Sequence, residues 1–218
     1  MSETDKGFME LFLGVLRRPG EYFGYVEEDD LAKSLIIVAV MVVLAAVSTS
    51  VYMSKIPLEV LVPQLGEMGV EVGDVAGSMG LFSAIGAAVG ILLGWVLSTA
   101  VMHGLANLAG GRGSMKRLFA MHGFAAAPHA ANYALRTVDA YVSSSQSLVS
   151  YFMAGRAVEA KLVRAVLGTN MLTVFGVAGL VYLTYALSIN YQLRRDRALA
   201  VAIVPLLLYI ALNYLGPG

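Results

Sequence analysis

Apolar residues in this chain are gathered into long uninterrupted runs. Residues 34–54 carry no charged side chain. A hydrocarbon core about 30 Å thick requires a helix of about 20 such residues, so this run predicts a membrane span. A second run, 79–108, is longer than one crossing needs, which predicts tilt or an extension into the headgroups. Runs at 165–189 and 198–215 repeat the pattern. Between them, 118–135 is weaker, because His122, Pro128, His129 and Asn132 interrupt it. The pattern predicts an all-α polytopic membrane protein, a bundle of five transmembrane helices. Residues 34–218 form one membrane domain, and short loops after the second and fourth spans predict two antiparallel hairpins.

Residues 1–33 follow a different pattern. Phe8, Leu11, Phe12, Val15 and Leu16 recur at helical spacing and form one apolar face. Arg17 and Arg18 follow, and Pro19-Gly20 ends the element. This predicts an N-terminal amphipathic interfacial helix, anchored to a leaflet by its bases. The competing reading is a helix that caps the underside of the bundle. The run Glu27-Glu28-Asp29-Asp30 is expected to be a solvated linker, with docking to a basic partner as the alternative. The start of the chain lacks the short basic segment and apolar core of a secretory signal peptide, so Met1 is expected to be retained.

Two further segments join the spans on the opposite side. The first, 55–77, holds Pro57, Pro63 and four glycines. Leu58, Leu61, Val62 and Leu65 there suggest a short surface helix, and its acids do not have the spacing of a calcium loop. The second, 137–164, is polar at Ser143-Ser144-Ser145 and turns amphipathic through Leu148, Phe152 and Gly155.

Composition strengthens the membrane reading. Apolar residues make up 58% of the chain and charged residues 14%, against about 45–50% and about 25% in soluble domains. The zero formal net charge leaves no footprint for nucleic acid. The absence of Cys removes disulfides, thiolate catalysis and Cys-ligated zinc. The side bearing the N-terminal tail and the loops after spans two and four carries 10 Lys and Arg, and the other side 5. That asymmetry predicts a cytoplasmic N-terminus and a C-terminus outside.

Gly86, Gly90, Gly94 and Ser98 are four residues apart and share one face of the second span. In lipid, such a face permits the close van der Waals contact that holds helices together. The expected partner is another span of the same chain, with Gly176 and Gly179 facing the groove. A second copy, giving a homodimer, is the alternative.

The intramembrane polar residues are His103, Asn107, His122, His129, Asn132 and Asn170. No span contains Asp or Glu, which argues against a proton-coupled pump. The favoured reading of the three histidines is interhelical hydrogen bonding. A metal site made by His103, His122 and His129 is the sharper alternative. HExxH and GxSxG signatures are absent. Gly110-Gly111-Arg112-Gly113-Ser114-Met115-Lys116 lacks the ending of a nucleotide-binding loop and follows a membrane helix. It reads as a tight turn whose amides and bases can also meet a lipid phosphate.

The stretch from His103 through that turn to His122-Gly123-Phe124-Ala125-Ala126-Ala127-Pro128 resembles the Yip domain family. A span ends in a Gly-Gly turn, a basic step follows, and a small-residue span leads to Pro. Arg18-Pro19-Gly20-Glu21-Tyr22-Phe23 resembles the family's Pro-containing entry to span one. The resemblance implies a non-enzymatic, five-span integral membrane protein with a cytoplasmic N-terminus. Eukaryotic members are linked to Rab GTPases and vesicle traffic. The short N-terminal segment and compact loops resemble a prokaryotic-type member, so Rab binding is not carried over. The family offers no catalytic residue and no cofactor to transfer.

The resulting expectation is a membrane scaffold or adaptor. Arg112, Lys116, Arg117, Arg194, Arg195 and Arg197 would form a cytoplasmic platform for anionic membrane lipids or an acidic protein partner. A small channel or transporter, using the polar residues of spans two and three, is the alternative, and a metal-dependent intramembrane enzyme is a third reading.

Overall fold

The computed structural model describes residues 6–56, 72–147, 149 and 174–215. Among the described residues the regular structure is helical throughout. The main helices are α1 (Phe8–Arg17), α2 (Pro19–Tyr22), α3 (Leu31–Lys55), α4 (Val72–Leu108), α5 (Met115–Ala125), α6 (Ala127–Val142), α7 (Val174–Tyr191) and α8 (Arg195–Leu215). The surface helix expected at Leu58–Leu65, the amphipathic stretch at Leu148–Gly155 and Asn170 lie outside the described residues.

Helices α3, α4 and α7 are long and apolar enough to cross a membrane. The weak third run is not one continuous helix. It is two, α5 and α6, separated at Ala126, with Pro128 in the first turn of α6. The physical reason is that Pro128 has no N–H to donate to Phe124 four residues back, so the ladder of α5 is interrupted and proline takes a place in the first turn of α6, where no N–H is needed.

The pair α5–α6 runs parallel to α3 along its full length. Gly123 lies against Ser34, and a β-carbon on it would stand 2.6 Å from Ser34 Cβ. Further along, Thr137 Oγ1 donates to the Leu44 carbonyl at 3.2 Å. At the far end Lys55 Nζ donates to the carbonyls of Ala140, Tyr141 and Ser143 at 2.6, 2.7 and 2.9 Å. These are last-turn carbonyls that the helix itself leaves open. The two broken pieces together therefore cover the same height as α3.

Helix α4 runs the other way. Gly80 sits beside Ser50 near the end of α3, and Trp95 joins Val38 and Met41 near its start. Helix α7 is antiparallel to α5–α6, with Gly179 against His129 and Asn190 beside Ser114. The alternation of directions brings the start of α3, the α4–α5 turn and the α7–α8 turn to one end of the bundle. That end is called here the basic face.

Small residues make this packing possible. Ala120, Ala125, Ala126 and Ala127 are buried where α5–α6 meets α3 and α7. Lipid tails are as apolar as side chains, so close approach rather than hydrophobic exclusion holds such contacts.

The N-terminal helix settles its two readings. Its apolar stripe is turned inward: Leu11 and Val15 are 1% exposed and join the core around Phe124. Tyr182 Oη donates to the Leu16 carbonyl at 2.9 Å. Helix α1 thus caps the bundle, and its apolar face is used within the protein. Each such buried side chain contributes about 1.5–3 kcal/mol relative to water.

Candidate functional site

The basic face is built on two turns that are joined to each other. Helix α4 ends with Gly110 at φ +87°, the left-handed conformation that glycine adopts freely. The Gly111 N–H returns to the Ala106 carbonyl at 2.9 Å and the Gly110 N–H to Asn107 at 3.0 Å, closing a glycine cap. Helix α7 ends with Gln192 at φ 55°, a left-handed position held by a side chain that seldom occupies it. Ser188 Oγ donates across this turn to the Leu193 carbonyl at 2.7 Å.

The Arg112 N–H donates to the Tyr191 carbonyl at 3.3 Å. Asn190 Nδ2 donates to the Ser114 carbonyl at 2.8 Å. Beneath the turns, Tyr191 Oη is hydrogen-bonded to His103 Nδ1, and Asn107 Nδ2 lies 3.1 Å from His103 Nε2. One hydrogen-bonded chain therefore ties α4 to the end of α7.

The six platform bases fall into two groups. Lys116 and Arg117 are engaged by the acidic run. Arg117 Nε donates to the Val26 carbonyl at 2.7 Å, and its Nη2 donates to Gly24 at 3.0 Å and lies 3.5 Å from Glu27. Lys116 lies 3.5 Å from Asp29 and 3.9 Å from Glu28. Ser114 caps α5, accepting from the Arg117 N–H at 3.3 Å, and donates to the Glu28 carboxylate. The run 27–30 is thus a strap docked on the chain's own bases, its Glu27 and Asp29 side chains still exposed to solvent. Opposite charges attract across the fold, and Lys116 is separated from Asp29 by 87 positions in sequence.

Arg112, Arg194, Arg195 and Arg197 form the second group, and all are exposed. Arg194 lies 3.3 Å from Asp196. Arg195 stacks over the Tyr185 ring at 4.9 Å. Arg197 Nη1 donates to the Ala109 carbonyl at 3.4 Å, reaching from α8 back to the first turn. Among the described residues, Arg112, Arg195 and Arg197 have no carboxylate within ion-pair distance.

The histidines are distributed. His122 Nδ1 shares a hydrogen bond with Thr99 Oγ1 at 2.6 Å, His103 is held by Tyr191 and Asn107, and His129 lies against Gly179. Among the described residues no three His, Cys, Asp or Glu side chains gather as metal ligands. Trp95 Nε1 and Asn132 Nδ2 are buried without a hydrogen-bond partner among the described residues.

Among the described residues the glycine stripe faces outward. β-Carbons on Gly86, Gly90 and Gly94 would meet nothing within 4 Å, and Ser98 Oγ returns to the Trp95 carbonyl at 3.2 Å. Among the described residues no same-chain partner meets this stripe, and α4 turns Ile91, Trp95, Thr99, Met102 and Ala106 to the bundle. Gly179 meets His129 and not this stripe. Spacing identifies a small-residue face but not the side it turns to.

Sequence reasoning missed the parts that Tyr185 and Tyr191 play in this site. Tyr191 carried a usable signal, an aromatic at the polar end of an apolar run, where such rings lie at a membrane interface. Its pairing with His103 carried none.

The comparisons with known proteins bear on this arrangement. The family model described as the Yip1 domain matches residues 13–215. No curated protein and no solved structure gives a significant match. The match begins within the N-terminal cap and takes in the acidic strap, both joined turns and α8. With its three membrane-length apolar helices and all-α fold, this chain belongs to the Yip1 domain family and is an integral membrane protein.

Proposed function

We propose that this protein is a non-enzymatic membrane scaffold or adaptor that presents its basic face to the cytoplasm. The single observation that carries the reading is the joined pair of turns. Arg112, Arg195 and Arg197 project from them with no carboxylate partner among the described residues. The turns are fixed by hydrogen bonds from three helices, so the charge sits on a shelf of defined shape. Each base near an anionic leaflet contributes about 1 kcal/mol. The partners in this reading are membrane lipids and an acidic membrane or peripheral protein, and a second copy is a further candidate. The membrane domain crosses five times, which places the C-terminus outside. The 10-to-5 split of bases supports that orientation.

The test is affinity purification from native membranes in mild detergent, comparing wild type with Arg112→Gln/Arg194→Gln/Arg197→Gln. A near-stoichiometric protein partner held by wild type and lost by the variant is the expected result. A partner retained equally by both overturns the platform.

A channel or transporter is the second reading. The buried donors Trp95 Nε1 and Asn132 Nδ2, which lack partners among the described residues, favour it. Solute flux in liposomes carrying the purified protein tests it.

A further inference from the structure

A cleft of about 170 Å3 opens between α7 and α8, lined by Val181, Thr184, Tyr185, Arg195 and Leu199. Its position in the fold is specific. Arg195 begins α8 at the basic face, and Leu199 is one turn further along the same helix. On α7, Tyr185 and then Val181 lie progressively farther from the Tyr191 end. The cleft therefore has a cationic mouth and walls that become apolar with depth.

The walls make no polar demand. Thr184 Oγ1 is satisfied internally, donating to the Leu180 carbonyl at 2.8 Å. Val181 and Leu199 keep 43% and 40% of their surface exposed. The mouth is charged and rigid: Arg195 has no carboxylate partner among the described residues and rests on the Tyr185 ring. That ring is backed by Gly20 of α2, where a β-carbon would stand 3.0 Å from Tyr185 Cε1. The N-terminal cap thus holds Tyr185 and limits where the guanidinium can go.

We propose that this cleft seats one anionic glycerophospholipid, its phosphate on Arg195 and an acyl chain along Val181 and Leu199. The occupant follows from complementarity in two parts. A guanidinium without a carboxylate matches a phosphate, and an apolar wall at membrane depth matches an acyl chain. A free phosphate meets only the first part, and a zwitterionic lipid carries an ammonium that offsets it. The proposal rests on the reading of the basic face as headgroup-facing and adds a defined single site to it.

The experiment is native mass spectrometry of the full chain in detergent, titrated separately with phosphatidylglycerol and phosphatidylcholine of identical acyl chains. Wild type is expected to hold one phosphatidylglycerol, preferred over phosphatidylcholine by about fivefold, the worth of one base at an anionic surface. Arg195→Gln removes the preference. Leu199→Trp and Val181→Phe fill the cleft without touching a base, and both are expected to lose the adduct while their melting temperatures hold. Arg112→Gln keeps it.

Equal retention by wild type and Arg195→Gln overturns the proposal. So does full retention by both cleft-filling variants. The two readings fail separately. Arg112→Gln/Arg194→Gln/Arg197→Gln tests the platform with Arg195 intact, and a variant that loses its protein partner while keeping its lipid separates the site from the shelf.

Discussion

Gly113 lies so close to Tyr191 that a β-carbon on it would stand 2.8 Å from Tyr191 Cδ1 and 2.5 Å from the Asn190 carbonyl oxygen. The second contact is with backbone, so a rotamer change cannot relieve it. Gly113→Ala is expected to push the two turns apart and cost about 1–3 kcal/mol, the range for overpacking a filled site. Thermal unfolding of the purified protein in detergent measures this. Gly24→Ala, whose β-carbon meets nothing within 4 Å, is the control. Equal melting temperatures for both variants would show that the turns are not joined as described.

Arg117 and Lys116 are neighbours with unequal roles. The Arg117 guanidinium donates to two backbone carbonyls of the N-terminal segment and is 23% exposed, whereas Lys116 is 53% exposed and reaches only carboxylates. Charged hydrogen bonds to otherwise unsatisfied carbonyls contribute about 1.5–3 kcal/mol each, and an exposed ion pair about 0–1. Arg117→Gln is therefore expected to destabilise the docked strap clearly, and Lys116→Gln hardly at all. Limited proteolysis of residues 18–30 reports the difference. Equal protection in both variants would remove the distinction.

What the sequence makes legible here is what depends on neighbours along the chain. The runs that became α3, α4 and α7 were readable because a span needs about 20 apolar residues in succession. The Gly110 cap and the break before Pro128 were readable for the same local reason. The joined turns, the strap on Lys116 and Arg117, and the His103–Tyr191 bond link residues 86 to 93 positions apart or nearly so. No local periodicity encodes such pairs. The glycine stripe shows the same limit, since its regular spacing was visible and its outward direction was not.

That outward direction yields a contrast between two glycines. Gly179→Leu places atoms where His129 Nε2 already stands 2.6 Å from an ideal β-carbon, and it is expected to lower the melting temperature. Gly90→Leu meets open space among the described residues and is expected to leave the monomer's stability unchanged. Sedimentation in detergent adds the second readout. A dimer that Gly90→Leu dissociates would put the stripe between copies. Loss of monomer stability by Gly90→Leu would instead mean that α4 packs differently from the arrangement described.

Asn132 offers the sharpest separation between the scaffold and channel readings. It is 7% exposed, and its Nδ2 has no hydrogen-bond partner among the described residues. An unsatisfied amide away from water costs about 1–3 kcal/mol, and more where the surroundings are hydrocarbon. Leu has nearly the same shape and carries no polar atom. If the site is dry, Asn132→Leu removes a penalty and leaves nothing unpaired, so the melting temperature holds or rises. If the amide is bonded to water or to a passing solute, the same substitution removes a real partner and the melting temperature falls. The scaffold reading predicts the first result, with liposome flux at background in both proteins. A fall in stability together with a flux that Asn132→Leu abolishes would transfer the weight to the channel, because one amide would then account for both.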